Sequence, residues 1–362
     1  MITIPSTTLA AALKAAASIV EARNTIPILT MVRLAASGDA LEITTTNLDI
    51  EYRQTLPCTV TAPFQCAVDA KRLAAMASAA TGDMTLTPGE KGVIAIKAGR
   101  SRWSAPTLPV DDFPVMPVDK LSPPLKMSGE DLAEIIRRTV WATSSDPARS
   151  YLGGIFLNDD GGKARYVATN GYALASILTA SKWPKGAPNV IVPSDLANTL
   201  LGAAGEGHVT LEWDAGKLRF TAGNLTVTGK MIEGQFPDYN RIYPSPSEPM
   251  AVEAEELLGA VRRVRIASDA QTRRLRLKRE DGVLAVRIEG TSGFEGSEDV
   301  VAECSAGFES GVNADYLEGM LKAAESETVS IEQDEPMGTF LVRPISGDLN
   351  MSFSGLIWPL RV

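Results

Sequence analysis

The segment SGEDLAEIIRRTVWATS, residues 128–144, decides the fold because it represents a pattern that recurs along the whole chain. Its apolar residues return at intervals of three and four, which is the period of one helix face. Ser128 precedes the apolar run, and Glu130 and Asp131 fall in the first turn, where such residues favour helix initiation. The segment therefore predicts an amphipathic helix that buries one side.

Five other segments share this pattern, and successive starts are 59 to 66 residues apart. The six segments begin at Ser6, Asp69, Ser128, Ser194, Glu253 and Asn313. Between them lie alternating or β-branched runs broken by Gly, Asp and Asn, which predict antiparallel strands joined by tight turns. A single unit of one helix and one small sheet buries its apolar faces poorly on its own, so the units are expected to pair.

Two proline-rich segments interrupt the repeat, at residues 108–129 and 233–253. Proline removes backbone donors and stiffens the chain, so both segments are interpreted as extended connectors between domains. The sequence thus predicts an α+β fold of three pseudo-repeated domains, each with two helices packed on antiparallel sheets. The predicted domains span residues 1–120, 121–247 and 248–362.

Composition places the chain among globular proteins that bury a sizeable core. Hydrophobic residues make up 44% and charged residues 22% of the 362 positions. The formal net charge is -9, from 35 basic and 44 acidic residues, which disfavours simple electrostatic capture of nucleic acid. The N-terminus lacks a secretory-signal pattern, and no window is long and apolar enough for a membrane span. We expect a cytoplasmic protein that does not bind a membrane.

Histidine and cysteine give no support for a catalytic or metal site. His208 is the only histidine, so a Ser/His/Asp site is disfavoured. The three cysteines, Cys58, Cys66 and Cys304, form no CxxC pair and suggest neither a disulfide framework nor a zinc site. Neither a cofactor nor a metal is expected.

Two alternative functions stay open at the level of the sequence. One is a metal-dependent hydrolase that uses the carboxylate pairs Asp111/Asp112 or Asp159/Asp160. Neighbouring carboxylates on an extended strand point to opposite faces, so neither pair is a natural bidentate metal site. The other alternative is a β-rich interaction scaffold that does not act on DNA.

Several segments resemble signature segments of the bacterial DNA polymerase III beta subunit family, the sliding clamps. They are AGRSRWSAPTLPVDDFP (98–114), YVATNGYALA (166–175), VIVP (190–193), GQFPDYNRIYP (234–244) and the closing WPLRV (358–362). RNTIPILTMVRL (23–34) is similar as well. The matching segments span all three predicted domains in the family's order.

The resemblance implies a homodimeric, head-to-tail ring of six similar domains, with helices around a central hole and sheets outside. Such rings encircle duplex DNA and tether proteins to it, so a non-catalytic processivity factor is expected. The implied partners are a second copy, double-stranded DNA, the DNA polymerase III catalytic subunit, the clamp loader and other proteins with a clamp-binding motif. Because a ring holds DNA by topology, it needs few phosphate contacts, and an acidic chain is compatible with this function.

The resemblance also implies a hydrophobic pocket, walled by the C-terminal residues, that accepts a short linear peptide of a partner protein. Its residues here would be Arg149, Leu152, Thr169, Gly171, Leu174, Pro237, Arg241, Ile242, Leu356, Trp358, Pro359, Leu360 and Arg361. Burial of one partner Leu or Phe is worth about 1.5–3 kcal/mol, so two anchors would give an exchangeable affinity.

Two further sets of residues follow from the resemblance. The DNA-contact positions would be Arg23, Lys71, Arg137, Arg138 and Tyr151, with the pair 137 and 138 on a helix expected to face the hole. The dimer interface would place one copy's first domain against the other's third domain, through Arg100, Arg102 and Trp103 on one side and Ile266, Glu295, Glu298 and Asp299 on the other. Opposite charges at such an interface mainly fix its register.

The chain departs from the family's usual residues at five of these positions. Asn170 stands where aspartate is usual, and Tyr172 and Ala173 stand where a basic pair is common. Trp358 replaces a usual methionine, and Ala267 replaces a larger apolar residue at the dimer interface. A rigid indole in place of a pliable thioether narrows the range of shapes a pocket accepts, so the client preference is expected to differ.

Overall fold

The computed structural model describes residues 1–21, 24–90, 92–118, 120–245, 247–268, 273–290, 293–305, 307, 309–335, 337–346 and 350–361. Its contacts divide the chain into two compact units. Unit 1 comprises Met1–Ala133, Pro184–Ala187 and Asn198–Met231. Unit 2 comprises Glu134–Trp183, Pro188–Ala197 and Ile232–Val362. The three domain boundaries expected from the sequence stay a prediction, and the middle domain contributes residues to both units.

The six predicted helices are confirmed in the described residues. They are α1 (Ser6–Ile19), α2 (Ala70–Ala79), α3 (Gly129–Thr139), α4 (Ser194–Ala203), α5 (Ala254–Val264) and α6 (Ala314–Ala324). Short 3₁₀ helices lie at Pro27–Thr30, Val140–Ala142, Pro147–Leu152, Tyr239–Ile242 and Arg265–Ala267. Helices α3 and α5 run directly into 3₁₀ turns, so both end earlier than their apolar patterns suggest.

Strands occupy most of the remaining described chain. They are β1 (Ile2–Pro5), β2 (Met31–Ser37), β3 (Ala40–Thr46), β4 (Ile50–Pro57), β5 (Thr59–Val60), β6 (Phe64–Asp69), β7 (Asp83–Pro88), β8 (Val93–Ala98), β9 (Ser101–Leu108), β10 (Leu125–Ser128), β11 (Gly154–Asp160), β12 (Lys163–Thr169), β13 (Ala173–Lys182), β14 (Val190–Pro193), β15 (His208–Trp213), β16 (Lys217–Ala222), β17 (Leu225–Lys230), β18 (Met250–Glu253), β19 (Arg274–Glu280), β20 (Val283–Glu289), β21 (Glu295–Glu303), β22 (Glu309–Asn313), β23 (Thr328–Glu332), β24 (Phe340–Pro344) and β25 (Met351–Ile357). Apart from the short β5, every helix follows one strand and precedes three. The repeat is therefore a βαβββ unit, in which one strand precedes the helix.

Three of the helices begin with the expected side-chain caps, whereas Glu253 makes no side-chain capping bond at the start of α5. Side-chain oxygens of Asp69, Ser128 and Asn313 accept hydrogen bonds from first-turn backbone amides at 2.8–2.9 Å. These bonds satisfy donors that a helix leaves free at its start. Ser6 differs because it lies inside α1, where its buried hydroxyl donates to the carbonyl of Ala80 at 3.2 Å. Its role is to join α1 to the end of α2.

Antiparallel pairing organises the strands of each unit into one continuous order. In unit 1 the order is β10-β15-β16-β17-β4-β3-β2-β6-β9-β8-β7-β1-β5. In unit 2 the order is β14-β11-β12-β13-β25-β24-β23-β18-β21-β20-β19-β22. Two pairings join strands of different predicted domains, β4 with β17 in unit 1 and β13 with β25 in unit 2.

The proline-rich segments are anchored rather than free connectors. In the first, the backbone amide of Met116 donates to the Glu51 carboxylate at 2.9 Å. Glu51 is 3% exposed on β4 and also pairs with Arg53 at 2.8 Å. In the second, Phe236 and Tyr239 are buried in an apolar cluster of unit 2. Both segments therefore contribute to the packing of the units.

Gly355 lets strand β25 pack directly against helix α6. A Cβ atom at this position would overlap the Sδ of Met320, a side chain of α6 with no exposed surface. Since buried side chains in close-packed interiors have little room to move, only glycine fits here without displacing its neighbour.

Replacement of Gly355 by alanine is expected to lower the free energy of unfolding by about 1–3 kcal/mol, the usual cost of overpacking a core. Gly202 is a matched control because it lies in α4 with nothing within 4 Å of an added Cβ. Gly202→Ala is expected to be neutral or to stabilise the helix by up to about 1 kcal/mol. Urea unfolding of both variants measures the difference, and equal stabilities would contradict this account of β25 packing.

Arg138, which was expected on a helix facing the hole, does not present its side chain at the surface of unit 2. Its side chain is buried, and its Nε donates to the carbonyl of Ala323 at 2.6 Å, in the last turn of α6. The guanidinium also pairs with Glu134 at 2.5 Å and lies 5.0 Å from the ring centroid of Phe353. A cation at a helix C-terminus satisfies free carbonyls and complements the helix dipole. Arg138 thus fixes α6 within unit 2.

Arg138→Met is expected to lower the free energy of unfolding by about 1–3 kcal/mol, because it leaves buried helix-end carbonyls without a donor. The neighbouring Arg137→Met removes the same charge from a side chain that is 54% exposed. This control is expected to change stability by about 0.5 kcal/mol or less. Thermal and urea unfolding of the two variants measure the difference. Similar losses of unfolding free energy in both variants would contradict the buried role of Arg138.

Candidate functional site

An apolar cluster in unit 2 gathers residues from distant parts of the sequence. Its buried members are Leu152, Val167, Leu174, Ile191, Phe236, Tyr239, Leu341 and Leu356. Partly buried side chains pack against it, namely Tyr151, Phe156, Ile232, Ile242, Tyr243 and Trp358. The rings of Phe156 and Phe236 stack with centroids 4.7 Å apart. The cluster therefore combines a closed core with a rim of half-exposed apolar groups.

The chain end is held by main-chain hydrogen bonds rather than frayed. Strand β25 pairs with β13 on one side and with β24 on the other. Beyond it, the Trp358 amide donates to the Tyr172 carbonyl at 3.0 Å, and the Leu360 amide donates to the Gly311 carbonyl at 2.9 Å. The carbonyl of Arg361 accepts from Arg274 at 3.0 Å. The tail thus runs from the cluster to the neighbourhood of β22.

The turn between β12 and β13 presents its backbone toward the tail. Asn170 Oδ1 accepts from the amides of Tyr172 and Ala173 at 2.8 and 2.9 Å. Thr169 donates its hydroxyl to the Ala173 carbonyl at 2.7 Å. Gly171 has φ +89°, which L side chains rarely adopt, and a Cβ there would approach the Arg149 guanidinium at 2.8 Å. A side chain at position 171 would therefore be strained and crowded.

Arg149 and two tyrosines form the polar edge of this turn. Arg149 donates to the carbonyl of Asn170 at 3.1 Å and pairs with Asp146 at 3.0 Å. The pKa of Asp146 is lowered by the backbone amide of Ala148 and then by Arg149. The Tyr172 ring, 54% exposed, stacks on Tyr316 with centroids 6.4 Å apart.

Tyr316 ties this edge to α6. Partial burial raises the pKa of its hydroxyl, and a hydrogen bond with the Asn170 side chain acts in the opposite direction. The Arg149 guanidinium lies 5.8 Å from the centroid of the Tyr172 ring. This edge therefore consists of the Tyr172–Tyr316 pair and the nearby Arg149. The faces of the two rings can bind apolar or cationic groups.

The FPDYNRI stretch supplies the opposite side of the cluster. Tyr239 is buried, its hydroxyl lies 3.1 Å from the Asn158 side-chain nitrogen, and burial raises its pKa. Asp238 accepts from the amide of Asn240 and pairs with Arg241 at 2.8 Å. The local Asp238 contacts hold the 3₁₀ turn that leaves Ile242 half-exposed at the rim.

The sequence-predicted pocket residues occupy three kinds of position, all in unit 2. Leu152, Leu174 and Leu356 are buried beneath the rim. Ile242, Trp358, Pro359 and Leu360 are half-buried, and Thr169 is buried at the turn. Arg149 is half-buried, while Gly171, Pro237, Arg241 and Arg361 are exposed. The structure brings Leu152, Leu174, Ile242, Leu356 and Trp358 into one cluster, and Leu360 lies instead against Gly311.

The remaining predicted DNA-contact residues in the described chain are divided between the two units. Lys71 is exposed on α2 in unit 1. Arg137 is exposed in unit 2 and lies 3.5 Å from Glu325. Tyr151 is half-buried against the apolar cluster. Arg23 lies outside the described residues.

The predicted dimer residues of unit 1 border an open strand edge. Arg100 and Arg102 are exposed and Trp103 is half-exposed, at the start of β9. Strand β9 pairs with β8 along residues 101–106 but with β6 only at Thr107 and Leu108. Within the described chain, the second edge of residues 101–106 therefore presents backbone groups without a strand partner.

The predicted dimer residues of unit 2 border a similar edge. Strand β21 pairs with β20 along residues 295–301 but meets β18 only at Ala302 and Glu303. Three large apolar side chains near this edge are unusually exposed, namely Ile266 at 85%, Phe294 at 68% and Val301 at 75%. Glu295 and Asp299 are exposed as well, and Ala267 is half-exposed.

Glu298 already has a partner within the chain. Arg263 donates to both of its oxygens, at 2.9 and 2.5 Å. These hydrogen bonds lower the pKa of the carboxyl group. Glu298 is therefore the least available of the three predicted acidic interface residues for a new ion pair.

One of the two carboxylate pairs of the hydrolase alternative, Asp159/Asp160, serves local structure. Asp159 accepts from the turn amide of Gly162 at 2.7 Å, and Asp160 pairs with Arg165 at 2.5 Å. In the described part of the chain, no group of three or more His, Cys, Asp or Glu side chains is arranged to hold a metal ion. None of the described helices is long and apolar enough to cross a membrane.

Two features were not predicted from the sequence, and only the second had a signal in it. The Tyr172–Tyr316 stack joins residues 144 positions apart, and no local pattern pairs them. The burial of Arg138 had a usable signal, because adjacent residues of a helix point about 100° apart and only one of two neighbouring arginines can lie on a narrow exposed face. Glu134, four residues before Arg138, was a second signal.

Comparisons with known proteins match this chain over its whole length. The family model described as DNA polymerase III beta subunit, N-terminal domain, matches residues 1–117, and the model of its central domain matches residues 126–238. A beta sliding clamp of Caulobacter vibrioides is 33% identical, with 100% of both chains covered. One of Pseudomonas aeruginosa is 31% identical over 97% of this chain and 96% of the relative.

Solved structures agree with the sequence relatives. A sliding clamp of Pseudomonas aeruginosa bound to griselimycin superposes with a TM-score of 0.94 at 29% identity, covering 99% of each chain. A clamp of Caulobacter crescentus gives a TM-score of 0.90 at 32% identity, covering 100% of this chain and 99% of the other. The chain therefore belongs to the DNA polymerase III beta subunit family, the beta sliding clamps, which are non-catalytic processivity factors of DNA replication.

Proposed function

We propose that two copies of this chain close head-to-tail into a ring around duplex DNA and tether the DNA polymerase III catalytic subunit, the clamp loader and other clients. The tether would be a client peptide seated on the apolar cluster of unit 2. This assignment favours the cytoplasm as the place of action, since the family serves bacterial DNA replication. We propose this function in place of the two alternatives, a metal-dependent hydrolase and a scaffold that does not act on DNA.

The pair of open strand edges carries the ring proposal. An edge of unpaired amides and carbonyls with exposed apolar side chains beside it is a template for pairing with another chain. The β9 edge brings Arg100 and Arg102, and the β21 edge brings Glu295 and Asp299. Two copies related head-to-tail would join the basic edge of one to the acidic edge of the other. Such complementarity fixes register and orientation.

The rim of the apolar cluster supports the tether. Ile242, Trp358 and Tyr172 offer half-exposed or exposed apolar surface around the buried Leu174 and Leu356. A client's Leu or Phe placed among the rim residues would gain about 1.5–3 kcal/mol from burial. In the described conformation the buried leucines support the pocket from beneath, and the rim residues are the first to meet a peptide.

Contact with DNA would come from exposed cations of both units. Lys71 and Arg137 are exposed and suited to phosphate contacts, with Tyr151 and Arg23 as the other family-matched positions. Arg138 is left out of this set because its guanidinium is engaged by α6. Topological retention makes tight phosphate contacts unnecessary.

Retention on circular DNA tests the ring. After loading onto a nicked circular plasmid by a clamp loader, the protein is expected to stay bound through gel filtration and to be released when the plasmid is linearised. Ile266→Asp should give a monomer by sedimentation and lose retention, because it buries a charge in the interface. Val115→Asp, at another exposed apolar position, is the matched control. A stable monomeric wild type, or equal retention on linear DNA, would overturn the ring.

Peptide binding tests the pocket. Fluorescence anisotropy with a labelled peptide that carries Leu and Phe anchors is expected to show binding to the wild type. Ile242→Asp should weaken that binding at least about tenfold, since a charge at the rim opposes burial of an apolar anchor. Ile345→Asp adds the same charge at an exposed isoleucine outside the cluster and should bind normally. Equal affinities of the two variants would rule out this surface as the pocket.

A further inference from the structure

A carboxylate on α6 holds three cations at once. Glu318 Oε1 accepts from Arg262 at 3.1 Å and lies 2.8 Å from the ammonium group of Lys322, while Oε2 accepts from Arg265 at 3.0 Å. The Glu318 side chain is only 15% exposed. The bond from Lys322, and then that from Arg262, lower its pKa, so the group is ionised at neutral pH. Arg262 and Lys322 are about half-exposed.

A second carboxylate extends the group. Asp315 pairs with Arg265 at 2.6 Å and with Arg273. We call the set of Arg262, Arg265, Arg273 and Lys322 around Asp315 and Glu318 the α5–α6 cluster. Its four cations surround two carboxylates, so it keeps an excess of positive charge on a chain that is acidic overall.

We propose that Glu318 restrains the binding of the α5–α6 cluster to the phosphates of duplex DNA, because it holds Arg262 and Lys322 in ion pairs and shares Arg265 with Asp315. The inference rests on the proposed function, in which DNA passes through the ring and must slide. Arginines aimed freely at phosphates would bind strongly and hinder sliding. Arginines that share a carboxylate present less net charge and have fewer free donors.

Electrostatics favours duplex DNA as the partner of this surface. Each phosphate that a protein cation neutralises releases condensed counterions and adds about 0.9 to the slope of log affinity against log salt. An acidic peptide has a lower charge density than duplex DNA, so its affinity depends less steeply on salt concentration. Removal of the Glu318 charge would free the two cations Arg262 and Lys322, while Arg265 would keep its ion pair with Asp315. Two freed cations correspond to a slope steeper by about one to two.

The test compares DNA binding by the full-length wild type and Glu318→Gln. Anisotropy of a short fluorescent duplex is measured between about 50 and 200 mM salt. The variant is expected to bind about five- to tenfold more tightly at the lower salt and to show the steeper slope. Glu318→Gln combined with Arg262→Gln should lose about half of that gain, because Lys322 is still freed, while Arg262→Gln alone should bind nearly as the wild type.

Glu332→Gln is the matched control. Glu332 lies on β23, its side chain is 14% exposed, and it pairs with Arg343 at 2.9 Å. This variant makes the same change in net charge outside the α5–α6 cluster and is expected to leave the slope unchanged. Thermal unfolding of every variant reports any purely structural role, which would lower the melting temperature without changing the salt slope.

The outcomes separate this inference from the function on which it rests. Wild-type retention on circular DNA together with an unchanged slope for Glu318→Gln would overturn the inference alone. The same gain in Glu332→Gln would overturn it too, because net charge rather than the cluster would be responsible. Tighter binding of an acidic peptide, with DNA binding unaffected, would show that the assigned partner is wrong. Failure of the wild type to be retained on circular DNA would reject the proposed function itself.

Discussion

Main-chain pairing of β13 with β25 is the interaction on which the candidate pocket depends. The register, from Ala173 opposite Ile357 to Thr179 opposite Met351, places the end of the chain beside the turn that begins β13. Leu174 and Leu356 are opposite each other in this register and have no exposed surface. A shift by one residue would turn each of these side chains to the other face of the sheet. The pocket is therefore a consequence of strand register.

Small residues make that register compatible with close packing. Gly355 admits the Met320 side chain of α6, and Gly311 admits the Leu360 carbonyl at the far end of the tail. The tail can then lie against β13, β24 and β22 without a gap. Because its hydrogen bonds run to Tyr172 and Gly311, the half-buried indole of Trp358 is positioned from both sides. The backbone that carries the Trp358 indole is thus fixed by hydrogen bonds.

The charges of unit 2 are arranged locally rather than as one field. Arg138 caps α6, Arg263 is engaged by Glu298, and Arg262 and Arg265 share Glu318. Basic residues at the ends of helices therefore serve packing and ion pairing before they serve a partner. Basic residues in the last turn of a helix also complement the helix dipole. Because these arginines already have partners within the chain, their number overstates how basic the surface is.

Periodicity was sufficient to locate the helices but not their exact ends. The six apolar stripes and three caps, at Asp69, Ser128 and Asn313, depend on neighbours within one turn, so they can be read from the chain. The ends of α3 and α5 depend on tertiary packing, and both change into 3₁₀ turns. The proline-rich segments were interpreted as connectors, yet they include β10 and β18, which open two of the repeats. Their anchoring by Glu51 and by the apolar cluster required distant partners.

The sequence by itself determined the repeat, the α+β class, the family and the stretches that contain the pocket residues, because all of these are encoded in local pattern or in family motifs. Only the tertiary structure decided which of those residues share a surface. Strand register buried Leu174 and Leu356, a neighbouring helix end engaged Arg138, and a stack joined Tyr172 to Tyr316. These outcomes depend on contacts between residues far apart in the chain, and no local periodicity specifies them.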